Sequence, residues 1–204
     1  MAVQRDSTAT KMRLLEAATE EFAAHGVAGG RVDRIAAAAE ANKQLIYAYF
    51  GSKEGLFDAV LDTQLAALTG SVPFDAGDLA DYVGRLFDHV LEHPEVLRLA
   101  TWAGLERPTA VAKFEADPYR DKLAAIISAQ QNGRVDQRFA PADLLALMLA
   151  VAAAWFNASE ALRSLDSKNP WTPRRLAQFR AAAVEAAARI LGSAPRNTTS
   201  PSAR

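Results

Sequence analysis

The sequence predicts an all-α protein: a three-helix module carrying a helix-turn-helix, linked by a fourth helix to a larger helical-bundle domain. Three observations carry that expectation. Of 204 residues, 44 are alanine, the best helix former because it loses no side-chain entropy and buries no polar group. No segment alternates apolar and polar residues with β-branched or aromatic side chains over strand length. Prolines and glycines fall between periodic stretches rather than within them.

The first helix is expected over about 8–25, with Leu14, Leu15, Ala18, Phe22 and Ala23 as its apolar stripe and Gly26 as its stop. A short second helix follows over about 32–39 and a third over about 43–50, opened by Asn42 as N-cap. Gly51-Ser52 breaks the chain, and Ser52 can cap a fourth helix bearing Leu56, Phe57, Val60, Leu61, Leu65 and Leu68. Longer amphipathic helices are expected over 78–93, over 94–106 opened by Pro94, and over 108–131 with a kink or split at Asp117-Pro118. Asn132-Gly133 is a turn. Pro141 opens a strongly apolar helix to about residue 165, and Thr172-Pro173 opens a last helix ending near Gly192. Domain expectations are a flexible tail over 1–7, a helix-turn-helix module over 8–52, a larger helical domain over 53–192 and a flexible tail over 193–204.

Composition narrows the function classes. Half of the residues are hydrophobic and 23% are charged, a globular balance. The absence of cysteine excludes a disulfide scaffold, a thiol nucleophile and Cys-ligated zinc or iron–sulfur sites. The longest apolar run, Leu144 to Phe156, is thirteen residues, against roughly 18 or more for a membrane span. The start, MAVQRDSTATK, has no apolar core of signal-peptide length, so a cytoplasmic location is expected. No phosphate loop, nucleophile elbow or G-x-G-x-x-G stretch occurs, and no cofactor is expected. Net charge is −1, so an electrostatic partner must be met by a local patch.

The informative stretch is Gly26 to Val60. Two short helices joined by Glu40-Ala41-Asn42 have helix-turn-helix dimensions. On the third helix Lys43, Gln44 and Tyr47 lie within an arc of about 100°, with Ile46 and Phe50 on the neighbouring arc. A polar, long-armed exposed face is what insertion into a major groove needs: Gln pairs with adenine, Lys reaches guanine acceptors, and Tyr hydroxyls reach phosphates. Net charge gives no help, since Arg5 to Glu54 carries seven basic and seven acidic residues. Lys43 alone reads as a solvated surface lysine, and Tyr47 or Tyr49 alone as a core-edge aromatic.

The ordered set resembles the DNA-binding module of TetR-type transcriptional regulators over about residues 10–60. The matching pieces are Gly26, the Ile35-Ala36 pair, and the run from Ile46 through Tyr47, Tyr49, Phe50, Gly51, Ser52, Lys53 and Glu54 to Leu56-Phe57. The resemblance implies that Lys43 and Gln44 are the main base readers. By the same token Tyr47 and Tyr49 contact phosphates or groove edges, Lys53 pairs with a phosphate, and Arg31 sits over the backbone, with Asn42 opening the reading helix. The sequence departs from the family pattern in three places. Gly30-Arg31 replaces the usual hydroxyl cap of the second helix, Glu40 stands where the turn usually has glycine, and Leu45 stands where a threonine often meets phosphate.

In this family the later helices dimerise and bind a small molecule. The resemblance therefore implies a homodimer through about 141–165 and 172–192, a double-stranded DNA operator, and an inducer of unspecified identity. The last helix agrees on its own terms, carrying six small residues among Ala181–Ala183 and Ala186–Ala188 beside Leu176, Phe179, Val184, Ile190 and Leu191. Pocket candidates are Phe87, His89, Trp102, Phe114, Trp155, Phe156, Asn157 and Glu160, polar or aromatic residues within apolar stretches; each reads more readily as core or interface than as a ligand contact, and Trp102 and Asn157 are the preferred ones.

Two other readings are weighed against the regulator. His89-Val90-Leu91-Glu92-His93 spells H-x-x-E-H, whose helical spacing suits one metal ion, so a metal-dependent enzyme using His89, Glu92 and His93 is one. An all-helical adaptor without DNA binding is the other. The constellation on the third helix favours DNA binding, and the family resemblance implies a ligand-responsive, homodimeric regulator of repressor type, released from a palindromic operator by an inducer.

Overall fold

The computed structural model describes residues 2–166 and 169–192, and among these it holds ten α-helices and no strand. They are α1 (Ala2–Gly29), α2 (Val32–Ala38), α3 (Lys43–Phe50), α4 (Lys53–Ser71), α5 (Leu79–Glu92), α6 (Pro94–Glu106), α7 (Pro108–Gln131), α8 (Pro141–Asn157), α9 (Glu160–Asp166) and α10 (Pro173–Ile190). No helix of the described residues is long and apolar enough to cross a membrane. The tail expected over 193–204 lies outside the described residues.

Three boundaries differ from expectation. Helix α1 starts at Ala2 rather than Thr8, because residues 2–7 hold no proline or glycine to stop it. Helix α7 runs as one element through Pro118 instead of splitting there; a proline removes one bond of the ladder, and the many other turns of this helix carry it across. The helix expected over 141–165 is two helices. Ala158 is extended (φ −61°, ψ 144°) and closes α8. Ser159 Oγ then accepts the Leu162 N–H at 3.2 Å and opens α9. The Arg163 guanidinium holds the carbonyls of Trp155 and Phe156 at 3.1 and 3.3 Å, gathering the acceptors that the end of α8 leaves unpaired.

The chain divides into two compact units: residues up to Ser71 with Val90–Tyr119, and Val72–His89 with the chain from Arg120 onward. The first contains α1–α4 and α6. Its core is Leu14, Ala18, Phe22, Ile35, Ile46, Leu56, Phe57 and Val60, joined by Leu99 and Ala103 of α6. Phe22 and Phe57 meet edge to face, ring centroids 5.2 Å apart, a favoured geometry for the aromatic quadrupole. The core thus fixes α1, α2 and α3 through α4 beneath them, and leaves the outer face of α3 uncovered.

The second unit pairs α8 with α10. Phe87, Trp155 and Leu176 are buried there against Phe156 and Phe179. Arg180 of α10 holds Asp88 of α5 through Nε at 2.8 Å to both carboxylate oxygens. A β-carbon at Gly84 would come within about 3 Å of Arg180 and Val184, so glycine is what lets α5 and α10 approach so closely.

Candidate nucleic-acid interface

Helix α3 is short, and the residues at its two ends define it. Asn42 is extended, and its Oδ1 accepts the Gln44 N–H at 2.8 Å, capping α3. Gly51, at φ 77°, ends α3 in a conformation that L-residues rarely adopt. Ser52 Oγ accepts the Gly55 N–H at 3.0 Å and caps α4. A β-carbon at Gly55 would run into the Phe50 carbonyl, so the turn between α3 and α4 closes only over glycine.

Within α3, Ile46 is buried and Leu45, Tyr49 and Phe50 pack against the core. Lys43, Gln44 and Tyr47 are exposed together on the outer face, as helical spacing predicts. Tyr49 is not on that face; it is half-buried and edge-on to Phe50 at 6.2 Å. Leu45 fills core volume, which accounts for an apolar residue there. Lys43 Nζ lies 3.0 Å from Asp33 Oδ1 of α2. That hydrogen bond, followed by the charge of Asp33, raises the lysine's pKa and keeps it cationic.

The start of α2 lacks a side-chain cap of its own, since Arg31 sits at N-cap without one. A carboxylate from α1 takes the role. Glu21 Oε1 accepts the Arg31 N–H at 2.8 Å, and both Glu21 oxygens accept from Arg34 Nε at 2.9 and 3.0 Å. The Arg34 hydrogen bond foremost holds the Glu21 carboxyl below the usual carboxylate range, against the opposing effect of burial. Gly30 is explained by space: a β-carbon there would come 2.7 Å from the Phe22 ring. The far end of α2 is held by Arg13, whose Nε donates to the Ala39 carbonyl at 3.1 Å. Glu40 then takes the turn at φ 49°, the left-handed region where glycine costs least. The helix-turn-helix geometry is kept, with a residue less suited to it.

Lys53 is half-buried, and its Nζ donates to the carbonyls of Gly30 at 3.3 Å and Ala28 at 3.5 Å. It therefore ties α4 to the segment that precedes α2. Arg31 is exposed at the start of α2. The seven expected DNA contacts thus divide: Lys43, Gln44 and Tyr47 form one exposed row, Arg31 and Lys53 flank the start of α2, Asn42 is the cap of α3, and Tyr49 leans on the core.

Residues 14–60 match the family described as "Bacterial regulatory proteins, tetR family", and residues 78–189 match the "Tetracyclin repressor-like, C-terminal domain". The chain belongs to the TetR family. The HTH-type transcriptional repressor SCO4008 of Streptomyces coelicolor is 48% identical over 151 residues, 72% of this chain and 79% of that protein. The HTH-type transcriptional repressor Rv3405c of Mycobacterium tuberculosis is 30% identical over 178 residues, 87% of each chain. Among solved structures, the transcriptional regulator SCO4942 of Streptomyces coelicolor superposes with a TM-score of 0.78 at 36% identity, covering 92% of this chain and 99% of that one. As a TetR-family protein the chain is a ligand-responsive, helix-turn-helix DNA-binding transcriptional regulator, not an enzyme. Members of the family bind DNA operators and typically act as dimers.

The H-x-x-E-H pattern is divided between two elements, since helix α5 ends at Glu92 and His93 is the N-cap of α6 (φ −127°, ψ 67°). Among the described residues no group of three or more His, Asp or Glu side chains is placed to hold a metal ion. His93 Nδ1 lies 3.3 Å from Glu95 Oε1 instead.

The pocket candidates are dispersed. Phe87 and Trp155 meet through Phe179, with ring centroids 5.7 and 5.0 Å from it, and Phe156 is 5.2 Å from Phe87. His89 is buried on α5. Asn157 and Glu160 are exposed, at the end of α8 and the start of α9. Trp102 belongs to the other unit, where its indole N–H donates to the Ala23 carbonyl of α1 at 3.3 Å. Phe114 has its side chain outside the described residues. Helical periodicity shows that a residue faces inward, but not which of two cores receives it.

Proposed function

We propose that this TetR-family protein is a homodimeric repressor whose α3 helices read a palindromic operator and are released by a small-molecule inducer. The observation that carries the proposal is the exposed row of Lys43, Gln44 and Tyr47 on a helix whose other faces are committed to the core. Lys43 and Gln44 offer the donors and acceptor that base edges in the major groove require. Tyr47, Arg31 and Lys53 supply the positioning contacts to phosphate, Lys53 near the positive end of α4.

A second copy of the chain is the partner that the outer faces of α8 and α10 suit. Ala146, Leu147, Ala150 and Ala154 are exposed on α8, and Ala177, Ala181, Ala182 and Ala186 on α10. Small side chains let helices pack at short distance, and such a face satisfies itself across a twofold axis. Two copies place two reading helices for half-sites about one DNA turn apart or a multiple of it.

The inducer wall is assigned to the cluster of Phe87 and Trp155. Trp155 is 4% exposed and Arg175 stacks over its ring at 4.2 Å. Its buried Nε1 has no acceptor among the described residues, a donor that a bound molecule would satisfy. The inducer works by binding the released state more tightly than the DNA-competent one.

Selection of DNA from a random-sequence pool by the purified protein, with sedimentation of the protein in parallel, tests this reading. Enrichment of an inverted repeat by a dimeric species is the expected result. A monomer, or a pool that shows no enrichment at low salt, would overturn it.

A further inference from the structure

The segment that connects α1 to α2 has its backbone held by charged side chains, and one of them comes from α6. Gly26 (φ 68°, ψ −175°) breaks α1, and the helix resumes for a last short stretch through Gly29. A break of this kind leaves the next N–H groups without helical acceptors. Glu106 Oε2 takes two of them, from Val27 at 2.7 Å and from Ala28 at 3.0 Å. One turn earlier on α6, Trp102 lies against Gly26, so that a β-carbon there would come 2.8 Å from its ring and 2.6 Å from Glu106 Oε1. Beyond the break, Lys53 holds the Ala28 and Gly30 carbonyls, Arg34 the Gly29 carbonyl at 3.3 Å, and Glu21 the Arg31 N–H. Lys53, Arg34 and Glu21 belong to α1–α4 themselves. Glu106 is 79 residues from Val27 and is the last residue of α6.

We propose that Glu106 is a positioning residue for DNA reading: by accepting the Val27 and Ala28 N–H groups it sets where α2 begins, and through α2 the presentation of Lys43, Gln44 and Tyr47. The inference rests on the DNA-reading role of α3 proposed above. Its physical basis is reach. Helix α2 is seven residues long and has no side-chain cap of its own, so while Ile35 and Ala36 seat it on the core, the segment before it sets where its first turn begins. Lys43 is in turn tied to α2 by Asp33. Freed at Glu106, residues 27–31 gain backbone freedom that binding to DNA must remove again.

The test uses the full-length protein, the DNA that it selects from a random-sequence pool, and the variants Glu106→Ala and Glu106→Gln. The amide oxygen of glutamine still accepts both N–H groups, so Glu106→Gln keeps the fold and most of the binding. Glu106→Ala is expected to weaken binding to the selected DNA about tenfold, with unrelated DNA bound as before. Hydrogen exchange at the Val27 and Ala28 amides, followed without DNA, is expected to speed up in Glu106→Ala and much less in Glu106→Gln. A folded Glu106→Ala protein that binds the selected DNA as wild type does would overturn the positioning role, and so would unchanged exchange at both amides. A wild-type protein that selects no sequence would sink the DNA-reading account, and this proposal with it.

Discussion

Glu21 of α1 caps α2 across space: its carboxylate accepts the Arg31 N–H at 2.8 Å while it pairs with Arg34. The hydroxyl cap common at this point in the family is replaced by a longer side chain that begins ten residues earlier. Glu21→Ala should cost about 2 kcal/mol of stability, since it leaves an N–H and a guanidinium without their partner. The folded pKa of Glu21 lies below its unfolded value, so its contribution is present above the unfolded pKa and is lost as pH falls through the folded one. Urea unfolding of wild type and Glu21→Gln should therefore show an advantage for wild type at neutral pH that shrinks in acid.

Glu40 holds the helix-turn-helix turn at φ 49°. Glycine relieves the left-handed strain at that position, so Glu40→Gly should stabilise by about 1 kcal/mol and raise Tm by about 3 °C. It also removes a negative charge next to the reading helix. Thermal unfolding and a DNA titration should move together, both upward.

The Lys43–Asp33 pair restrains the lysine proposed to read base edges. Both side chains are largely exposed, at 57% and 74%, so the pair adds little to stability. Asp33→Asn should leave Tm unchanged and strengthen DNA binding several-fold. The gain should be larger on the selected DNA than on unrelated DNA, because a base contact rather than a phosphate contact is freed.

Gly55 was not singled out by pattern, yet its β-position is filled by the Phe50 carbonyl. Gly55→Ala should cost about 2–3 kcal/mol through overpacking of the α3–α4 turn. The loss should appear as a lower urea midpoint.

Much of this interface was legible in the sequence. The exposed row on α3 followed from helical spacing and the Asn42 and Ser52 caps from residue type, whereas Gly26, expected to stop the first helix, only breaks it, and α1 resumes through Gly29. Contacts at long sequence separation were not legible. Glu21 and Glu106 look like ordinary surface carboxylates, because nothing local tells that the N–H groups they accept lie at Arg31 and at Val27. Trp102 illustrates the same limit, since its spacing marks it as inward-facing while its partner, Ala23, is 79 residues away. The break between α8 and α9 did have a local signal, Ser159 as a cap with Glu160 behind it, which the surrounding alanines outweighed. Lys53 changes most in meaning. Its bonds to the Gly30 and Ala28 carbonyls make it part of the joint, so a substitution there reports on structure as well as on DNA.

Gln44 and Tyr47 are therefore the residues on which the account turns. The most direct measurement is a titration of wild type, Gln44→Ala and Tyr47→Ala against the selected DNA and unrelated DNA, at several salt concentrations. The account predicts unchanged folding in both variants. Gln44→Ala should lose about tenfold or more on selected DNA with little change on unrelated DNA, because a base contact carries discrimination of about 1–3 kcal/mol. Tyr47→Ala should weaken both, because phosphate contacts carry no sequence. Folded variants that bind the selected DNA as tightly as wild type would contradict the claim that α3 reads the operator.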